Sequence, residues 1–146
     1  ASFDSQKLAF NEPLSQSGWA APYEHLRKAG VMIGETLQTG AHRASAEAVA
    51  KGEADFAALD IVTWTLIQRY DAFAANLVEV ERTRLTPGLP LITSLGRDPE
   101  PLANAFTAAL STLPKEHLDT LLITGLSTHS KEDYLSIPIP PSPSDA

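Results

Sequence analysis

Apolar positions along the first eighty residues switch repeatedly between a strand pattern and a helix pattern. Lys7-Leu-Ala-Phe-Asn11 sets three apolar residues in succession before Asn-Glu-Pro turn signals, which predicts a short buried strand. Trp19, Tyr23, Leu26 and Ala29 then recur at three- to four-residue spacing up to Gly30, predicting a helix over Trp19 to Lys28. Pro22 leaves two starts open. With Ser17 as N-cap, Pro22 removes a helical hydrogen bond; with the regular helix starting at Pro22, residues 15–21 form a looser leading turn. Val31 to Gln38 reads as a second strand, and Ala44 to Lys51 as an alanine-rich helix closed by Gly52. Phe56-Ala-Ala-Leu59 follows as a third, central strand, then Ile61 to Tyr70 as an amphipathic helix and Leu77 to Val80 as a fourth strand of clean alternation. Alternating strands and helices imply right-handed crossovers, hence a three-layer α/β unit in which a parallel (mixed-edge) sheet is flanked by helices.

The pattern changes after Arg84. Thr86-Pro-Gly-Leu-Pro90 and the apolar Leu91-Ile-Thr93 read as a crossover or linker. Asp98 is placed to cap a long helix with Pro99 in its first turn and Leu102, Phe106, Ala109, Leu110 and Leu113 on one face. Pro114 starts another, running to about Thr124, and Ile137-Pro-Ile-Pro-Pro-Ser-Pro-Ser is an extended, polyproline-like tail. Three segments are therefore expected: an α/β ligand-binding lobe over 1–85, crossover and helices over 86–136, and a tail over 137–146.

Composition narrows the function classes. A net charge of −7 without clustered Lys or Arg argues against nucleic acid as a partner, so an anion has to be held locally against the overall field. No apolar run approaches the roughly 18 residues of a membrane span. Without cysteine, disulfides, thiolate metal sites and cysteine nucleophiles are excluded together. His25 and His117 lack carboxylate or histidine neighbours three and four residues on, His129 has Glu132 and Asp133 there, and neither a metal nor a cofactor is expected. The start, Ala1-Ser-Phe-Asp-Ser-Gln-Lys7, has no signal-peptide pattern and no initiating methionine, the expectation for a processed chain or a fragment.

Candidate chemistry follows the strand ends. Asn11 to Gly18 puts Ser15, Gln16, Ser17 and Gly18 at a strand-to-helix junction, where free N–H groups and a helix dipole suit an anion. An ordinary N-cap explains the same residues. His42 lies in the Thr39–Arg43 loop after the second strand, and Asp60, a natural cap for the Ile61 helix, stands after the third. The carboxyl edge of a parallel sheet is where such folds bind ligands. Ser17, His42 and Asp60 also supply the residue types of a hydrolase, but Leu14-Ser-Gln-Ser-Gly18 lacks the first glycine of a nucleophile elbow, and the glycine spacing and lysine of a phosphate-binding loop are missing as well. No enzymatic role is expected.

Leu8-Ala-Phe-Asn11 leading into Ser15-Gln-Ser-Gly18, then Thr39-Gly-Ala-His42 with Ala46, Val49, Gly52 and Asp55 behind it, then Ala57-Ala-Leu-Asp60, resembles the substrate-binding proteins of phosphonate/phosphite-type ABC transporters. The likeness covers Lys7 to about Leu95, with Pro87 to Thr93 resembling the return crossover. It implies one lobe of a type II periplasmic-binding fold, a periplasmic or other extracytoplasmic location, a permease partner, and a first lobe ahead of Ala1. It also implies that Ser15, Ser17 and the Gly18 amide grip the oxygens of a small phosphonate-like oxyanion, that His42 adds a donor, and that Asp60 contacts the distal part of the ligand. Gln16 departs from the family's threonine at the centre of that turn, which bears on which oxyanion fits. The competing expectation is a binding protein of the same fold for a thiamin-precursor-like or other uncharged or cationic molecule, anchored by Asp60 with Trp64 as a wall.

Overall fold

In the computed structural model, which describes residues 3–143, three short parallel strands form a sheet in the order β2-β1-β3, with β1 (Leu8–Phe10) between β2 (Thr36–Gln38) and β3 (Phe56–Ala57). Register pairs Leu8 with both Thr36 and Phe56, and Ala9 with both Leu37 and Ala57. β1 is buried at every position because it is covered on both faces, the reason its sequence is apolar throughout rather than alternating. Leu8 and Phe10 face one way and pack with Trp19, Tyr23 and Ile33. Ala9 faces the other way and meets Ala48, Ala54, Leu37 and Val49. The small Ala9–Ala48 contact lets helix α2 (His42–Ala50) lie close on the sheet, while α3 (Ile61–Tyr70) packs Trp64 and Ile67 against Ala46.

The Pro22 ambiguity resolves toward the later helix start. Gln16–Ala20 form a single π-helical turn, whose wide i→i+5 ring places the Ser15 carbonyl opposite the amides of both Trp19 and Ala20, and α1 (Ala21–Lys28) begins with Pro22 in its first turn.

Four expectations are corrected. Val31 to Gln38 yields only Thr36–Gln38 as strand, because the chain leaves α1 through left-handed Gly30 and Gly34 runs hard against the Ser5 backbone. A Cβ on Gly34 would sit 2.4 Å from the Ser5 carbonyl oxygen. The third strand stops at Ala57 rather than Leu59, and it is an edge strand rather than the central one, a place taken by β1. His42 is not in a loop: α2 starts at His42, two residues before the predicted Ala44, after Gly40 turns the chain at φ 83°. Leu77 to Val80 is not a strand, since Leu77 packs onto the Trp64 cluster while Val78 and Val80 stay exposed, and Glu79 takes the Trp64 indole N–H. Alternation alone makes no strand without a neighbouring edge to pair with.

Contacts divide the chain into one unit of Ala1–Leu85 with Pro138–Ala146 and another of Thr86–Ile137. In the second, α4 (Glu100–Thr112) has Asp98 Oδ1 accepting the Glu100 N–H, and α5 (Lys115–Leu121), shorter than predicted, ends where Leu122 turns left-handed. An unpredicted helix α6 (Lys131–Leu135) is closed by a reciprocal Ser130–Asp133 capping box. Those bonds hold the Asp133 carboxylate below its ordinary pKa, the backbone N–H of Ser130 being the larger cause. Residues 138–142 have no regular secondary structure, between a bend at Ile137 and a turn at Pro143; Ala1, Ser2 and the predicted tail's last residues, 144–146, lie outside the described residues.

Candidate functional site

Asn11–Gly18 leaves the end of central β1, while His42 and Asp60 come from the segments that leave its two neighbours, β2 and β3. A parallel sheet sends all three exits to one edge, so residues distant in sequence converge there. Ser17 Oγ lies 2.9 Å from His42 Nε2, and the same nitrogen is 3.6 Å from Asp60 Oδ2. Asp60 Oδ1 is already committed, accepting the Thr63 N–H at 2.8 Å as the N-cap of α3. Ser15 is buried, and its Oγ accepts the Gly18 N–H at 3.0 Å. Gln16 opens the π-turn, half-buried. The Gly18 amide is thus engaged by the protein's own cap, whereas the amides of Gln16 and Ser17 stand at the start of the turn, where no acceptor within it can reach them.

Gly18 is required by contact rather than by backbone angle. A Cβ there would fall 2.0 Å from Asn11 Oδ1 and 3.1 Å from His42 Cε1. Asn11 and the His42 ring therefore both crowd the face of Gly18 from which a side chain would project. Asn11 Oδ1 and His42 Nδ1 are both buried with no hydrogen-bond partner, a costly state for polar atoms. Sequence reasoning left Asn11 out of the site, although a polar side chain directly after a buried central strand was a signal in plain view.

His42 is held from below. Thr39 Oγ1 bonds the Phe10 carbonyl, the Ala41 carbonyl and the hydroxyl of fully buried Ser45, pinning the start of α2 to the end of β1. Next to it Arg43 donates from Nε and Nη2 to Asp71 and lies 5.3 Å over the Phe73 ring. The hydrogen bond it donates to Asp71 raises the Arg43 pKa further, and Lys51 together with Arg43 holds Glu47 below the ordinary carboxylate value, the Lys51 hydrogen bond being the larger cause. These contacts lie on the surface and fix orientation more than they add stability.

The chemistry open to this arrangement follows from which ring nitrogen is used. In a nucleophilic triad, serine and carboxylate engage opposite nitrogens of the imidazole, so one orients while the other takes the proton. Here Ser17 and Asp60 approach the same Nε2, and Nδ1 is buried without a partner. A proton on Nε2 suits both neighbours: it points at the Ser17 oxygen and at Asp60, leaving the Ser17 O–H to donate outward. Among the described residues no group of three or more His, Asp or Glu is arranged to hold a metal, and no helix is long and apolar enough to cross a membrane.

Comparison with curated proteins gives no match. The sequence model of the family described as "ABC transporter, phosphonate, periplasmic substrate-binding protein" matches residues 1–134.

Proposed function

Because the chain belongs to the family of periplasmic substrate-binding proteins of phosphonate ABC transporters, in which it is a substrate-binding component, we propose that Ser15, Gln16, Ser17, Gly18, His42 and Asp60 line its site for a small phosphonate-like oxyanion. The observation that carries this reading is the 2.9 Å contact between Ser17 Oγ and His42 Nε2, beside the first turn of a helix. A histidine proton given to the serine oxygen turns the serine O–H toward an incoming oxyanion, and the amides of Gln16 and Ser17 supply the remaining donors. The protein binds and delivers its ligand to a permease in the periplasm and performs no chemistry on it, in keeping with the single nitrogen that Ser17 and Asp60 share. Residues 86–136 serve as the return segment that packs on a further lobe, a role supported by the exposed Leu89, Leu91, Ile92 and Leu95.

Asp60 favours a second reading. Its Oδ2, 3.6 Å from His42, would repel a fully ionised ligand and would accept from an ammonium or hydroxyl group, the anchor expected for an uncharged or cationic molecule. Calorimetric titration with methylphosphonate, phosphite, phosphate, a sulfonate and a thiamin-like heterocycle separates the two. Saturable binding of at least one phosphorus oxyanion is expected; binding of the heterocycle alone transfers the site to the second reading, and binding of none removes the oxyanion.

A further inference from the structure

We infer that the proline-rich tail is a strap that positions the anion-binding turn by way of Trp19. Trp19 follows Gly18 directly in the π-turn and is 1% exposed. Its indole N–H, the ring's single polar group, donates to the carbonyl of Pro141, 122 residues further along, at 2.9 Å. The ring is wedged between Phe10 and Tyr23, with centroids 5.5 and 5.4 Å away. One side of the same short turn is therefore fixed by the strap and the sheet core, and the other presents Gly18 to Asn11 and His42.

The tail is suited to this role. Pro138, Pro140, Pro141 and Pro143 fix φ near −65° and keep the backbone extended, so docking costs little conformational entropy. Residues from Pro138 onward group with the sheet unit, apart from the helices that precede them in sequence. The family match ends at residue 134, so the strap is drawn from this chain's own residues. When the tail leaves, the Trp19 N–H loses its acceptor inside an apolar cluster, an unfavourable state that the turn relieves by shifting. The shift reaches Gly18 first, because Asn11 and His42 already fill the space that a side chain on it would occupy.

The effect on affinity rests on the oxyanion reading above; the positioning itself does not. The test compares four 15N-labelled proteins: the full chain, a chain ending at Ile137, Trp19→Phe, and Trp19→Phe ending at Ile137. Removing the tail is expected to move the Trp19 indole, Gly18 amide and His42 ring resonances, and to weaken methylphosphonate binding about three- to tenfold, the loss of one ordinary hydrogen bond. In Trp19→Phe, which keeps the ring packing but has no N–H, tail removal is expected to leave Gly18 and His42 where they were. Pro140→Gly, which retains the tail but loosens it, is expected to shift the same resonances in the same direction by less, separating the strap from a general loss of folding. Unmoved Gly18 and His42 resonances on tail removal overturn the inference, as does an equal response in Trp19→Phe. If the full chain binds no methylphosphonate while Gly18 and His42 still respond to tail removal, the oxyanion reading fails and the strap stands.

Discussion

In the unit of residues 3–85, the buried apolar side chains from Leu8 to Ile67 meet partners on a second element; in the unit Thr86–Ile137, helices α4, α5 and α6 bury no side chain. The two sequences are not so different. Leu102, Phe106, Ala109, Leu110 and Leu113 make as regular a stripe as Trp64, Ile67 and their neighbours, and Phe106 nevertheless remains 45% exposed. An apolar stripe specifies a helix with a face, and only a complementary surface within reach turns that face into a core. The candidate site lies in the unit that has such surfaces, where the packing of α2 and α3 holds His42 against both Ser17 and Asp60.

The sharpest way to break this contrast is to remove one apolar side chain from each unit. Ile67→Ala, at 2% exposure, is expected to cost about 2–5 kcal/mol in denaturant unfolding, whereas Phe106→Ala is expected to cost less than about 1 kcal/mol. Equal costs would mean that α4 has a core after all. Within the first unit, Gly18→Ala is expected to lower stability by about 1–3 kcal/mol, since the added methyl must displace Asn11 and push on His42. It should also abolish the binding of methylphosphonate; retained stability and affinity would mean that Asn11 simply swings away.

Ser17→Ala and His42→Ala are each expected to weaken methylphosphonate binding by about 1–3 kcal/mol, with the double variant losing less than the sum because the two side chains act through one contact. Strict additivity in calorimetry would separate them. The smallest expected effect concerns acid. Arg82, chiefly by its hydrogen bond, and the Trp64 indole hold the Glu79 carboxylate below its ordinary pKa. A depressed carboxylate stabilises the folded state above the unfolded pKa, and that contribution fades as pH falls through the lower folded value. The Trp64 indole resonance is expected to move only on acidification below the ordinary glutamate pKa, while the sheet amides stay in place; a response beginning near neutrality would assign it to another group.

Legibility in the sequence tracks the same contrast. Ile61–Tyr70 was readable to the residue because Asp60 is both its cap and the end of an apolar run, and β1 was readable because three successive apolar residues have no other use in a strand so short. The strand ends gave Ser17, His42 and Asp60 as candidates, and the parallel order of β2-β1-β3 is what brings them together. What local pattern could not carry were facts set by distant partners. Val78 and Val80 alternate like a strand yet have no edge to join, and Gly34 cuts β2 short through a contact with Ser5. The use of one histidine nitrogen by both Ser17 and Asp60 is likewise a matter of three elements meeting. The α6 cap was the reverse case, since Ser130 and Asp133 spelled out a capping box at helical spacing and needed no tertiary partner.

One edge of the small parallel sheet is proposed to receive a phosphorus oxyanion. Titrating methylphosphonate into the 15N-labelled chain tests it most directly, by following the amides of Gln16, Ser17 and Gly18 and the His42 ring. Saturable shifts concentrated on those groups are expected, with the resonances of residues 86–137 unmoved. Saturable shifts that leave Ser17, Gly18 and His42 in place would contradict it.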